Sequence, residues 1–433
     1  MGARQLLAAC LLATSLAGMA AGLPVWQTST DIATGRGEKG PWQQNESRYD
    51  YVDDPTVAMD SGGRIAVAWV EQARKDVLFQ RFAADGTTRL GVPVNVSRSP
   101  ATFSWLPRIA IAPDDPRRIY LFWQEIIFSG ASHGGEMFFA RSEDGGVSFS
   151  EPVNVSNSVG GDGKGRINKE VWHNGSYDLV AGEDDVVYAV WTEYDGPLWF
   201  SRSMDGGKRF SRPQRVAGGS QAKPVRGPSL AIGKGRALYL AWTTGEDDSA
   251  DIHVARSDNG GNTFGDTVRA FKGKGYSDAP KLAVGGTGTV HLVFAESTGG
   301  PFGRYHIRYA RSTDGARTFE PARDISSAGR TDATFPSLGI DAGGNVFVLW
   351  EVMSDPRIRP RGLALTVSLD GGRRFSEPQV IPGSIDPDGG GNGSYQGLLM
   401  KKLAVGRSGK VAVVNSSLVA GTRSRVWLLS GSY

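Results

Sequence analysis

The chain has 433 residues, 21% of them charged, a formal net charge of +3 and no sustained basic run, a balance that argues against a nucleic-acid partner. Its 59 glycines, 22 prolines and 9% aromatic residues suit many short strands joined by tight turns. Cys10 is the only cysteine, so nothing beyond it can form a disulfide, a cysteine-held metal site or a thiol nucleophile.

The N-terminus reads Met1-Gly-Ala-Arg4, an apolar stretch from Leu6 to about Ala20, small residues and Leu23-Pro24. A charged start, an apolar run and a small-residue cleavage site describe a signal peptide over residues 1–22, cut near Ala20 to Gly22. The run is short for a membrane span. The expected mature chain is therefore 23–433, a single domain, secreted or periplasmic and without a membrane span. Leu7-Ala8-Ala9-Cys10 offers the alternative of a lipoprotein signal, although the apolar run continues past Cys10. Sequons begin at Asn45, Asn95, Asn154, Asn174, Asn392 and Asn415, acceptors in any host that glycosylates.

From residue 140 onward one ten-residue segment recurs. The copies are Ala140-Arg-Ser-Glu-Asp-Gly-Gly-Val-Ser-Phe149, Ser201-Arg-Ser-Met-Asp-Gly-Gly-Lys-Arg-Phe210, Ala255-Arg-Ser-Asp-Asn-Gly-Gly-Asn-Thr-Phe264, Ala310-Arg-Ser-Thr-Asp-Gly-Ala-Arg-Thr-Phe319 and Thr366-Val-Ser-Leu-Asp-Gly-Gly-Arg-Arg-Phe375. Their closing phenylalanines stand 61, 54, 55 and 56 residues apart, and a worn sixth copy spans Ala83 to Leu90. Asp-Gly between apolar strands marks a hairpin, in which the carboxylate bonds backbone amides and glycine accepts positive φ. The phenylalanine is expected to fold back over its own blade.

Upstream of each box lies Pro-x-Φ-Ala-Φ, a glycine turn and an apolar strand ending in Trp or Phe, as in Pro107-Arg-Ile-Ala-Ile with Ile119 to Trp123. A divergent copy runs from Tyr177 to Trp191. Each unit thus predicts four strands, the blade of an all-β propeller whose blades bury their faces by stacking. Units start near residues 55, 107, 177, 228, 280, 336 and 398, which favours seven blades over six. The last unit has three strands, and the segment Val25 to Ile32 is expected to supply its fourth and close the ring.

The spacing Ser-x-Asp-x-Gly-x-x-Phe resembles the Asp-box of the bacterial sialidase superfamily over nearly the whole mature chain. The resemblance implies a structural box on the face opposite the site, an arginine triad holding a carboxylate, and a tyrosine nucleophile activated by a glutamate. The chain has no Arg-Ile-Pro tripeptide, and Pro107-Arg108-Ile109 stands nearest to it.

Site residues are expected where the inner strand begins and the second strand ends, around the channel. An acid follows the second-strand aromatic at Glu71, Glu125, Glu193, Glu296 and Glu351, with Glu246 displaced; these read as a carboxylate ring or as strand-end salt bridges. Two residues before the inner-strand proline stand Asp53, Trp105, Arg226, Asp278 and Thr334, where the blades differ chemically. Asp53 and Asp278 form a candidate acid/base pair, Arg108, Arg226 and Arg330 candidate anion ligands with Lys281 nearby, and Trp105 a sugar platform. The duplicated Asn-Gly-Ser-Tyr ends in Tyr177 and Tyr395, and by position Tyr395 is the candidate nucleophile. His173 precedes the first copy and with Tyr177 suggests a polysaccharide-lyase alternative. No metal spacing or cofactor motif appears. The expected partner is an acidic glycan, cleaved as by an exo-α-sialidase, with a non-catalytic glycan- or protein-binding propeller as the alternative.

Overall fold

A computed structural model describes residues 23–41, 43, 46–99, 102–129, 132–157, 166–167, 172–173, 176–193, 196–219, 222–245, 249–273, 275–326, 332–353, 359–393, 400–407 and 409–433. The expected signal segment 1–22 lies outside them, as do Glu246, Arg330 and Tyr395.

Seven antiparallel sheets of four or five strands follow one another along the chain, with two two-stranded ribbons besides. In blade 1 the strands are Val52–Met59, Ile65–Glu71, Asp76–Phe82 and Arg89–Asn95, from the axis outward. The inner strands of the next five blades are Phe103–Ile111, Tyr177–Ala181, Val225–Ile232, Tyr276–Val284 and Asp332–Ile340. Blade 7 comprises Leu403–Val405, Lys410–Val419 and Arg423–Ser432. Its outer edge is covered by Val25–Trp26 and Thr30–Gly35, with Thr30 opposite Leu428. Inner strands touch in ring order and blade 7 returns to blade 1, so the ring is closed as expected. The only helix among the described residues is the 3₁₀ turn Lys234–Arg236.

Second strands are apolar on both faces because each blade is sandwiched between two others. Trp69, Trp123, Trp191, Trp242, Phe294 and Trp350 fill equivalent positions there, all at most 2% exposed. Their indoles and rings form the layer on which adjacent sheets stack.

The repeated turns are wired alike. Ser142 Oγ donates to Asp144 Oδ1 and accepts the Gly146 amide, each at 2.7 Å, while Asp144 Oδ1 accepts the Val147 and Ser148 amides at 3.0 Å. Asp205, Asn259, Asp314 and Asp370 repeat the pattern. The closing phenylalanine does not cap its own blade. It reaches back to the preceding one: Phe149 meets Phe79 edge-on at 5.0 Å, and Phe210, Phe264 and Phe375 meet Phe139, Phe200 and Tyr309 at 4.8–5.1 Å. An arginine completes the joint from the other side. Arg202 donates to the Gly260 carbonyl at 2.6 Å, Arg256 to Gly315 at 3.3 Å and Arg311 to Gly371 at 3.0 Å, each in the next blade. The boxes therefore stitch blade to blade.

Candidate functional site

Five inner strands share a local defect. The residue before proline takes positive φ at Asp54 (51°), Leu106 (57°), Gly227 (59°), Ala279 (52°) and Phe335 (48°). The register slips at the same places, between Asp53 and Thr56 or Arg226 and Ser229, for example. Such a bulge adds one residue and re-aims the side chains on either side of it. Residues three apart, which a regular strand would point to opposite faces, then both meet the neighbouring blade. Arg226 pairs with Asp278, while Ser229 Oγ accepts the Leu282 amide at 3.0 Å.

Position plus one after the bulge builds a collar around the channel. Asp178 Oδ2 accepts the Leu230 amide at 2.9 Å, Ser337 Oγ accepts the Lys402 amide at 3.2 Å, and the Val57 amide reaches the Lys401 carbonyl at 3.2 Å. These bonds equate Thr56, Arg108, Asp178, Ser229, Lys281, Ser337 and Lys401, one residue per blade. Lys281 and Lys401 are partly buried. Burial, with Arg108 and Lys401 adding repulsion against the pull of Asp178 and Asp278, pushes the Lys281 ammonium down to about 8.

Beside the collar, Asp278 gathers a polar cluster at the rim. Arg226 Nε stands 3.2 Å from Asp278 Oδ1, and the Tyr276 hydroxyl donates to Oδ2 at 3.3 Å. Thr243 Oγ1 and the Ala279 amide also donate to Oδ1, at 3.2 and 2.8 Å. The Arg226 guanidinium lies over the Tyr276 ring, 4.8 Å from its centroid, and Tyr305 packs edge-on against Tyr276 at 6.2 Å. Burial first, then the Asp278 charge, pushes both hydroxyls above their ordinary range and holds them neutral.

The other expected residues divide. Asp53 is 0% exposed and accepts Gln72 Nε2 at 3.0 Å, while the Trp105 indole donates to Gln72 Oε1 at 3.3 Å. Asp53 and Asp278 thus sit in blades 1 and 5 with separate partners. Trp105 is 5% exposed, with its ring in the core. The Arg108 guanidinium lies over Tyr177 at 5.1 Å, and the Tyr177 hydroxyl donates to the Leu106 carbonyl at 2.6 Å. Thr334 is buried on the blade 6 strand.

Members of the expected carboxylate ring have local partners. Glu125 accepts from Ser104 at 2.7 Å and Trp123 at 3.0 Å, Glu296 pairs with Arg308 at 2.7 Å, and Glu71 with Arg74 at 3.6 Å. Glu351 pairs with Lys402 at 2.5 Å, both almost fully buried. Asn392 Nδ2 donates to Glu351 Oε2 at 2.8 Å, Lys402 Nζ donates to Asn415 Oδ1 at 2.8 Å, and Asn415 Nδ2 donates to Asn392 Oδ1 at 3.1 Å. Two of the six sequon asparagines are therefore interior groups, 1% and 0% exposed. Among the described residues no group of three or more His, Cys, Asp or Glu is placed to hold a metal ion.

Tyr276, Tyr305, Thr243 and Lys401 escaped the sequence reading. Tyr276 was within reach of it, since strand alternation puts it on the Asp278 side two residues away. Tyr305 meets it only through pairing with a distant strand.

No family model matches the chain, and no curated protein matches it in sequence. Solved structures do resemble it. The crystallised polysaccharide lyase Uly1 is 10% identical, covering 94% of this chain and 99% of that one with a TM-score of 0.54. The α-L-arabinofuranosidase Arb93A from Fusarium graminearum, as a point mutant in complex with an iminosugar inhibitor, is 15% identical, with 78% and 94% covered and a TM-score of 0.51. A Hadza microbial sialidase, Hz136, is 15% identical over 70% of this chain and 63% of its own length, at a TM-score of 0.46 that supports no argument. No helix among the described residues is long and apolar enough to cross a membrane. At such identities the likeness establishes a β-propeller and leaves the chemistry to the side chains.

Proposed function

We propose that this is a secreted propeller whose rim at Arg226, Asp278 and Tyr276 binds an acidic glycan and cleaves it as an exo-glycosidase. The observation that carries the reading is the convergence of a tyrosine hydroxyl and a guanidinium on one carboxylate, Asp278. A hydroxyl bonded to a base is the layout of an activated nucleophile. Tyrosine serves as nucleophile in sialidases, an exception to the two-carboxylate scheme. Tyr276 is held neutral by burial, so its proton passes to Asp278 as its oxygen bonds the anomeric carbon and the glycosidic C–O bond breaks. The aglycone oxygen takes a proton from water, the hydroxide so formed displaces the tyrosine oxygen from the sugar, and Asp278 returns the proton to Tyr276. Arg226, whose Nε faces Asp278 and whose Nη1 donates to the Gly245 carbonyl, supplies the cation that attracts a substrate carboxylate. Arg108 and Arg330 are proposed as further anion ligands, Asp53 and Tyr395 as further catalytic candidates and Trp105 as a sugar contact, each to be tested by its own substitution. The folds shared with proteins named as a polysaccharide lyase and an arabinofuranosidase support the choice of a glycan as ligand.

The lyase reading through Tyr177 has less support, because that hydroxyl is already donated to backbone carbonyls. A binding module is the reading that remains if chemistry fails. The deciding experiment is hydrolysis of a fluorogenic α-sialoside, with a uronide panel beside it. Turnover is expected, with Arg226→Ala and Tyr276→Phe each lowering kcat/KM by about 100-fold or more. Absence of turnover on every acidic glycoside between pH 4 and 8, roughly where carboxylate and histidine groups titrate, sinks the hydrolase.

A further inference from the structure

The collar below the rim carries a charge imbalance of which the proposed hydrolysis uses Arg108 alone. Three of its seven positions are cationic, Arg108, Lys281 and Lys401, and only Asp178 is anionic. That carboxylate is already committed, accepting the Leu179 and Leu230 amides at 2.9 Å. Thr56, Ser229 and Ser337 are neutral and are spent on links between blades. The three cations come from blades 2, 5 and 7, so their approach is imposed by ring closure and not by local sequence. Arg108 Nη1 lies 2.9 Å from the sulfur of Met400, the residue next to Lys401, and Lys281 feels the charge of both cations across the channel. Neither lysine ammonium has a hydrogen-bonded or ion-paired partner among the described residues. Like charges brought together in a half-buried throat destabilise the fold unless an anion enters.

We propose that the collar of Arg108, Lys281 and Lys401 is a binding site for a tetrahedral oxyanion of the phosphate or sulfate class. The ligand is either the free ion or the ester group of a saccharide lying over the channel. Three cationic donors from three blades suit an ion with oxygens on every side, whereas a planar carboxylate would satisfy one guanidinium. The collar does not include Asp278 or Tyr276 and shares only Arg108 with the proposed hydrolytic site, so the lysine variants separate oxyanion binding from hydrolysis. It also has a pH signature: an ammonium that titrates near 8 is charged below that value, so affinity falls as pH rises through it. Asp178 and Asp278 both face Lys281, and their attraction opposes the loss of its charge.

The test is thermal melting of the mature protein in sodium phosphate, sodium sulfate and sodium chloride at matched ionic strength. A disaccharide sulfate ester and its desulfated form are run beside them. Tm is expected to rise by roughly 3 °C at about 100-fold excess over Kd, with a smaller rise at pH 9 than at pH 7. Sulfate and phosphate also stabilise proteins by exclusion from their surface, so the decisive comparison is with Lys281→Met and Lys401→Met. Each variant is expected to melt higher than wild type in chloride, through loss of repulsion, and to lose the oxyanion increment. A shift with the free ions assigns the site to free oxyanion, and a shift confined to the ester assigns it to a saccharide substituent. Equal shifts in all salts, or an increment retained in both variants, overturn the proposal. Should a variant fail to fold, titration calorimetry of wild type with phosphate, with no heat beyond that of chloride, overturns it equally.

Discussion

At the scale of single residues, the box aspartates show how a repeated motif can be structural throughout. Asp144, Asp205 and Asp370 are held at about 2 by hydrogen bonds from neighbouring backbone amides and serine hydroxyls that outweigh burial. A carboxyl whose folded value is depressed stabilises the fold fully above its ordinary value near 3.8, and loses that contribution as pH falls through about 2. Acid unfolding followed by circular dichroism should therefore develop between those limits. Asp205→Asn should flatten it, because Asn259 already fills the same position with an uncharged acceptor. Asp205→Ala is expected to cost about 1–2 kcal/mol of stability and to leave any rim activity unchanged. Turn chemistry of this kind was legible in the sequence because it is local. The destinations of Phe149 and Arg202 were not, since each depends on which blade stands beside it. Motif reading also misplaces Asn392 and Asn415, whose sequons say nothing of burial. Expression in a glycosylating host followed by peptide mapping should find both unmodified in folded protein.

Single elements carry the site. Five prolines marked five inner strands, and the positions flanking them differ chemically from blade to blade. What the sequence could not convey is that the bulge turns the flanking residues toward the next blade, so that Arg226 of one strand meets Asp278 of another. Lys401 escaped because no proline marks the segment that leads into the blade 7 inner strand. The same segment leads into the buried network of Lys402, Glu351, Asn392 and Asn415, which ties blade 6 to blade 7. Burial pushes the Glu351 carboxyl up, and the charge and hydrogen bond of Lys402 oppose it most, ahead of Asn392 and Arg359. Removing one partner of such a pair leaves an uncompensated charge, so Lys402→Met should lose roughly 3–5 kcal/mol in denaturant unfolding. The double variant Glu351→Gln/Lys402→Met should recover much of that. If the two single losses simply add, the pair is not coupled.

For the whole molecule, the count of repeats foretold the count of blades, and the missing fourth strand foretold where the ring closes. Thr30–Gly35 pairs with the strand Arg423–Ser432 across nearly the entire length of the chain. Truncation of residues 23–37 should uncover the hydrogen-bonding edge of that strand. Lower Tm and self-association by light scattering are expected; a monomer with unchanged Tm would mean the clasp is dispensable. Most strand pairs in the molecule join neighbours in sequence and can form as soon as both have been made. The clasp is different. Its first half waits, unpaired, until some four hundred residues later the second half arrives. Closing so long a loop is slow, so refolding should show a late phase in which six blades are native while the ring still stands open as an arc. During that phase the waiting edge can capture the same edge of another molecule. Dilute solution therefore favours rings, and crowded refolding favours chains of exchanged strands.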